Sequence, residues 1–213
     1  MNPMRDRAQE HFPAVLLTLI SIIQALALEL LWGKVLDSEF LWSLNREAVL
    51  GWGMISVSFL GILQIWVMYS SMVMGFRWVP TLRDSIFPFI IGIQEFMLVS
   101  LISDDFSGTW LYVLASVFVT ANTISHLNFR KARNDPVNDR FFRTRDPATW
   151  KDFKWAILAV SLLTLFGLLT DIYENQTLIP VVAIVWANLL LLIQIGAIRI
   201  FWLEIINLPE DNQ

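Results

Sequence analysis

The chain has 213 residues, of which 56% are hydrophobic and 16% charged, and a net charge of −4 at pH 7. Soluble domains carry about a quarter charged residues, and the mean hydropathy of +0.58 points instead to a membrane protein. The absence of cysteine excludes disulfides, thiolate metal sites and iron–sulfur clusters. The apolar residues fall in six blocks, and too little chain remains between them for a separate soluble domain. The expectation is one transmembrane domain over 1–213, an all-α bundle of six helices.

The first predicted span is 12–32, after a head containing Arg5 and Arg7. Ala25-Leu26-Ala27 resembles a signal-cleavage site, but the apolar run continues to Trp32, and Asp6 and Glu10 dilute the positive head, so the segment reads as a retained span. Gln24 falls near its midpoint. Glu29 continues a stripe of Thr18, Ser21 and Ala25 on one helical face. It either lines an outer vestibule or reaches the headgroups.

The second span is 51–76. Its Gly53, Gly61, Gln64, Ser71 and Gly75 fall within about a quarter turn of one another. The third span, 86–103, is interrupted at its centre by Gln94 and Glu95. A helix of that length covers about 26 Å, close to the hydrocarbon thickness of a bilayer, which places Glu95 near the midplane. An acid there costs about 2.5–3.5 kcal/mol on insertion scales, so it should face protein rather than lipid.

The fourth span, 109–129, carries Asn122 and His126 one turn apart near its end. The polar segment 130–154 follows, with eight basic and four acidic residues. Asp146-Pro147 reads as an N-cap with proline at the first helical position, so the fifth helix is expected to start near Pro147 and to cross the membrane over 155–173. The sixth span, 178–202, carries Asn188 and Arg199, and an acidic tail closes the sequence. Tryptophans at predicted helix ends (Trp32, Trp52, Trp78, Trp110, Trp155, Trp202) fit interfacial anchors.

With the N-terminus in the cytoplasm, thirteen of the fifteen Lys and Arg residues fall in cytoplasmic pieces. Only Lys34 and Arg46 fall outside. This asymmetry predicts cytoplasmic N- and C-termini and six crossings.

Glu95 is the sharpest functional candidate. Its carboxylate either coordinates an ion or carries a proton inside the bundle, or it ties helices together by hydrogen bonding. Gln24, Gln64, Gln94 and Asn188 lie near the midpoints of their helices. Singly each reads as helix–helix glue, worth about 0.6 kcal/mol per contact. Together with Glu95 they suggest a polar midplane layer lining a pore or substrate cavity. His126, Asn122 and Arg199 mark a second candidate site at the cytoplasmic face. His126 could act there as a proton relay or, with His11 on the same side, as a haem ligand. Arg199 also reads as an interfacial anchor. No metal site and no cofactor is expected. The basic segment 130–154 predicts orientation and attraction to anionic lipid headgroups. Nucleic-acid binding would need a larger folded platform.

No HExxH, GxSxG, Walker A or GxGxxG pattern is present. The layout resembles the small bacterial relatives of lysosomal potassium channels: Arg7 and Phe12 lead into the first helix, and Ser58-Phe59 precedes Trp66 in the second. That family begins its first helix with Phe-Ser-Asp, whereas this chain reads Phe12-Pro13-Ala14. The serine and aspartate are lost, so no residue role is carried over. What the resemblance implies is a channel.

The leading expectation is therefore a channel or transporter for a small ion or polar solute, in a prokaryotic plasma membrane, with homo-oligomerisation an option. The alternatives are an accessory subunit of a larger membrane complex, or an intramembrane lipid-modifying enzyme acting through His126 and Asn122.

Overall fold

The structure is a computed structural model that describes residues 3–103, 105–143, 145–173 and 178–206. Asp104 in the expected third loop and the acidic tail 207–213 lie outside the described residues. Every regular element among the described residues is helical. Six long helices, α1 (Pro3–Asp37), α2 (Arg46–Gly75), α3 (Leu82–Ser100), α4 (Gly108–Ala132), α6 (Lys154–Ile172) and α7 (Leu178–Ile206), are joined by short connections and by a basic segment holding the single turn α5 (Asp139–Phe142).

Several boundaries depart from the sequence reading, each for a local reason. α1 starts at Pro3 rather than 12, and Pro13 lies inside it. The added turns are held by tertiary bonds: buried Gln9 donates to Asp135 Oδ2 (3.0 Å) and accepts from Arg77 Nη2 (3.1 Å). α2 starts five residues early because Asn45 Oδ1 accepts from Ala48 N (2.9 Å), an N-cap one turn ahead of the apolar run. α3 starts at Leu82, where Thr81 and Asp84 form a capping box.

The expected start of the fifth helix near Pro147 is incorrect, although the span itself falls where expected, in α6. Residues 145–149 are not helical, and a 3₁₀ turn, Trp150–Phe153, leads into α6. Thr149 and Asp152 supply the capping box, with Asp152 Oδ2 accepting from both Thr149 N (2.7 Å) and Thr149 Oγ1 (3.0 Å). Asp152 thereby satisfies Thr149 N, which a helix start would otherwise leave without an acceptor, while Arg133 Nη2 donates to the Asp146 carbonyl (2.9 Å) ahead of it.

Packed neighbours run α1–α2–α7–α6–α4–α3 and back to α1, a closed ring, with α2 also touching α3 across it. Successive long helices alternate in direction. One end of the ring therefore gathers the starts of α1, α3 and α6 and the ends of α2, α4 and α7. The ion pairs Lys131–Asp84 and Arg145–Glu204 lie at this end. Asn138 clasps it further, accepting from Arg77 N (3.0 Å) and donating to the carbonyls of Arg77 and Ala132. At the opposite end Asp171 of α6 accepts from Gly108 N and Tyr112 Oη of α4, both 2.9 Å.

Five of the six long helices are long and apolar enough to cross a membrane. The exception is α3, which carries Arg83, Asp84 and Glu95 within 19 residues. The outward surface is apolar where a soluble bundle would be charged: on α7, Val182, Val185, Leu189, Leu192 and Ile193 are all at least half exposed. These helices mark an integral membrane protein.

Candidate functional site

Glu95 lies midway along the ring wall, and the reason begins three residues earlier. Gly92 has no side chain, and the Ile23 side chain of α1 occupies the space that one would fill. That close approach brings the next residue of α1, Gln24, to α3. Gln24 Nε2 donates to Glu95 Oε2 (2.9 Å), and the two side chains are only 3% and 2% exposed.

The second carboxylate oxygen, Glu95 Oε1, has no hydrogen-bond partner among the described residues. Glu95 is among the residues lining a cavity of about 40 Å³ between α2, α3, α4 and α7, which also takes in Ser58 and Gln64. Ser58 Oγ and Gln64 Oε1 are likewise buried without partners. A carboxyl, a hydroxyl and an amide residue thus stand among the residues lining a space large enough for water.

A second cavity, about 340 Å³, adjoins the first through shared walls at Gln64, Ile65, Phe118 and Ala121. Tyr69, Asn122, Ser125 and Gln194 give it a polar lining. It reaches Phe129, which it shares with a third cavity of about 570 Å³ at the basic end, where His126, Arg130, Arg133 and Arg145 gather. From Glu95 towards the basic end, successive cavities therefore share lining residues, four between the first and second and Phe129 between the second and third. Towards the opposite end it is packed solid with Leu98, Ile102, Trp110, Leu111 and Leu114.

The amides expected to form one layer are distributed over helix seams. Gln94 donates to Ser116 Oγ (3.1 Å) and Thr120 Oγ1 (3.0 Å) across α3–α4. Asn188 accepts from Ser56 Oγ (2.7 Å) across α2–α7, and Gln64 donates to Gln194 Oε1 (2.6 Å) across the same seam. Gln64 is the one amide of the set that also borders the Glu95 cavity. Glu29 is exposed, beside Lys34 in a groove on the outer wall of α1, and Thr18, Ser21 and Ala25 of its stripe are exposed as well. Arg199 is exposed in a groove between α2 and α7.

His126 and Asn122 separate despite being one turn apart. Asn122 donates to the Phe118 carbonyl and faces the middle cavity. His126 meets Phe153 edge-on and faces the basic one. Among the described residues no group of three or more His, Asp or Glu is placed to hold a metal ion.

Tyr69 and Gln194 join the site without having been singled out in the sequence, and so does Ser58, noted there only for its spacing to Trp66. A lone serine in an apolar run carries no readable signal. Gln194 could have been paired with Gln64 only by knowing that α2 and α7 are neighbours. Asp84 is 1% exposed and paired with Lys131; its place in the first turn of α3 hides it from a midplane search. The arrangement offers a carboxylate able to exchange a proton with water or to hold a small cation. No match to the chain was found among protein-family models, curated proteins or solved structures.

Proposed function

We propose that the chain is a six-span integral membrane protein that moves a small ion, a proton or a polar solute, with Glu95 as the central acid of its path. In this reading α3 is the sixth span. Its charges do not oppose that, because Asp84 is neutralised by Lys131 at the bundle end and Glu95 faces inward. The observation that carries the proposal is the buried Glu95 carboxyl, with one oxygen unpartnered among the described residues, lining the innermost of a run of cavities that share walls and lead to the basic end. Such a half-path, blocked on the far side by the Trp110 layer, is what one state of an alternating transporter or a closed channel presents. Gln64 and Ser58 line the inner end, and Gln24 orients the carboxylate. The positive-inside rule places the basic end, with both termini, in the cytoplasm, and a prokaryotic plasma membrane is the proposed location.

The test is flux into proteoliposomes containing only this protein, under potassium, sodium, proton and chloride gradients in turn. The expected result is flux that Glu95→Gln abolishes or reselects while the protein stays folded. Flux unchanged by Glu95→Gln would remove Glu95 from the path.

One observation favours a second reading, an accessory subunit of a larger membrane complex. The amides are largely paired across seams, as structural polar groups are, while the Thr18–Ser21–Glu29 stripe faces outward, where a partner or a second copy could cover it. Absence of flux for every ion tested, from folded protein, would favour this reading, with partner capture as the next step.

A further inference from the structure

We propose that the cavity at the basic end is a binding site for the headgroup of an anionic phospholipid. The inference is independent of any role for Glu95.

His126 and Arg130 of α4 and its capping residue Arg133, still in helical conformation, stand at i, i+4 and i+7, so one helical face delivers all three to the cavity wall. Arg133 is fixed by carbonyls rather than by a carboxylate. Its Nη1 donates to Arg145 O (2.7 Å) and its Nη2 to Asp146 O (2.9 Å), with the guanidinium 4.7 Å from the Phe142 ring centre. It is therefore held in place, and among the described residues no carboxylate forms an ion pair with it. Arg145 lies 3.9 Å from the Phe141 ring centre and is ion-paired with Glu204. Three arginines against Asp146 and Glu204 leave a net positive wall before His126 is counted.

The floor is aromatic, Phe129 and Phe201 among others, and about 570 Å³ is ample for a glycerophosphate headgroup. Ile200, next to the lining residue Phe201, is exposed and apolar, and Leu203 and Ile206 continue the exposed apolar surface around the last turns of α7. Phosphate at the basic rim and acyl chains along that face satisfy both halves of the surface at once. A small soluble anion would use only the first. Basic pockets at the cytoplasmic ends of membrane helices suit anionic headgroups on these grounds.

The test uses the purified full-length protein in neutral detergent, titrated with short-chain (dioctanoyl) phosphatidylglycerol, with phosphatidylcholine of the same chains, and with inorganic phosphate. Saturable binding of phosphatidylglycerol is expected, with phosphatidylcholine at least tenfold weaker and inorganic phosphate unable to compete at millimolar concentration. Arg130→Gln should weaken binding about fivefold, the worth of one basic residue at an anionic surface. Arg130→Lys should recover most of the loss. Arg83→Gln, which removes an exposed charge at the same end but outside the cavity, should change it less than twofold. Equal weakening by Arg83→Gln and Arg130→Gln would reduce the effect to general surface charge and overturn the site. Competition by inorganic phosphate would overturn the lipid assignment in favour of a small-anion site, and an unchanged affinity in Arg130→Gln would overturn the proposal outright.

Discussion

Glu95 and Gln24 form a pair in which each side chain leaves the other a partner it cannot replace. The amide spends one donor on Oε2, and its own oxygen is unpartnered, as is Glu95 Oε1. Replacing Gln24 by Leu should therefore leave a buried carboxylate with no protein donor and cost about 1–3 kcal/mol. Replacing both, Gln24→Leu with Glu95→Leu, should cost less than the sum of the single changes, because two apolar groups leave nothing unsatisfied. Thermal unfolding of the four proteins in detergent measures this coupling. Additive single changes would mean that the bond contributes nothing to stability. Flux measured on the same Gln24→Leu protein, where it remains folded, asks a separate question, since a merely structural pair leaves transport untouched.

Among the helices, the closest contacts lie where glycine allows them. A Cβ on Gly108 would meet the Gly167 carbonyl and the Asp171 carboxylate across α4–α6, and a backbone atom cannot rotate away. Gly61 on α2 faces open space beside the Glu95 cavity. Gly108→Ala should therefore destabilise by about 1–3 kcal/mol through overpacking, whereas Gly61→Ala should leave stability unchanged or raise it by up to about 1 kcal/mol through helix propensity. The comparison, read as thermal midpoints in one detergent, separates packing from composition, since both changes are glycine to alanine inside a helix.

The start of α6 gives a third expectation at this scale. Thr149→Ala removes the hydroxyl half of the capping box and should cost about 1 kcal/mol. Faster amide exchange confined to the 3₁₀ turn Trp150–Phe153 and the first turn of α6 would show it. By contrast, Pro147→Ala should be nearly silent, because Pro147 lies outside the helix. This is where the sequence misleads. Asp146-Pro147 and Thr149-x-x-Asp152 are both valid start signals two to three residues apart, and the choice falls to the Arg133 contact with the Asp146 carbonyl, which no local pattern reveals. Likewise, nothing local marks residues 3–11 as helical through Pro13; the bonds from Gln9 to Asp135 and Arg77 are more than sixty residues away in sequence.

For the whole molecule, what the sequence makes legible is what depends on one helix at a time. Each long apolar run is a helix, the acid in the middle of α3 is buried, and the amides fall at bundle depth. What depends on neighbours is not legible. Nothing in the chain order says that α2 meets α7, so Gln64 and Asn188 look like one layer when they are seam bonds to Gln194 and Ser56. The stripe ending at Glu29 is regular enough to suggest a lining, yet α1 turns that face outward because Ile20, Ile23 and Ala27 claim the inside.

Direction across the membrane is a property of the whole ring and is set by charge placement rather than packing. Because the chain has no cysteine, single cysteines can report it without background. Leu44→Cys, at a fully exposed position between α1 and α2, should react with a membrane-impermeant maleimide on intact cells. Asp139→Cys, exposed in the basic segment, should react only after permeabilisation. The pair that decides the role of α3 is Arg83→Cys and Asp105→Cys, which flank it. If α3 crosses, Asp105→Cys labels from outside and Arg83→Cys does not. If both label only after permeabilisation, α3 enters the membrane from the basic side without crossing. The positions of α4, α6 and α7 would then invert relative to the charge rule, and the cavity series below Glu95 would lose its assigned side.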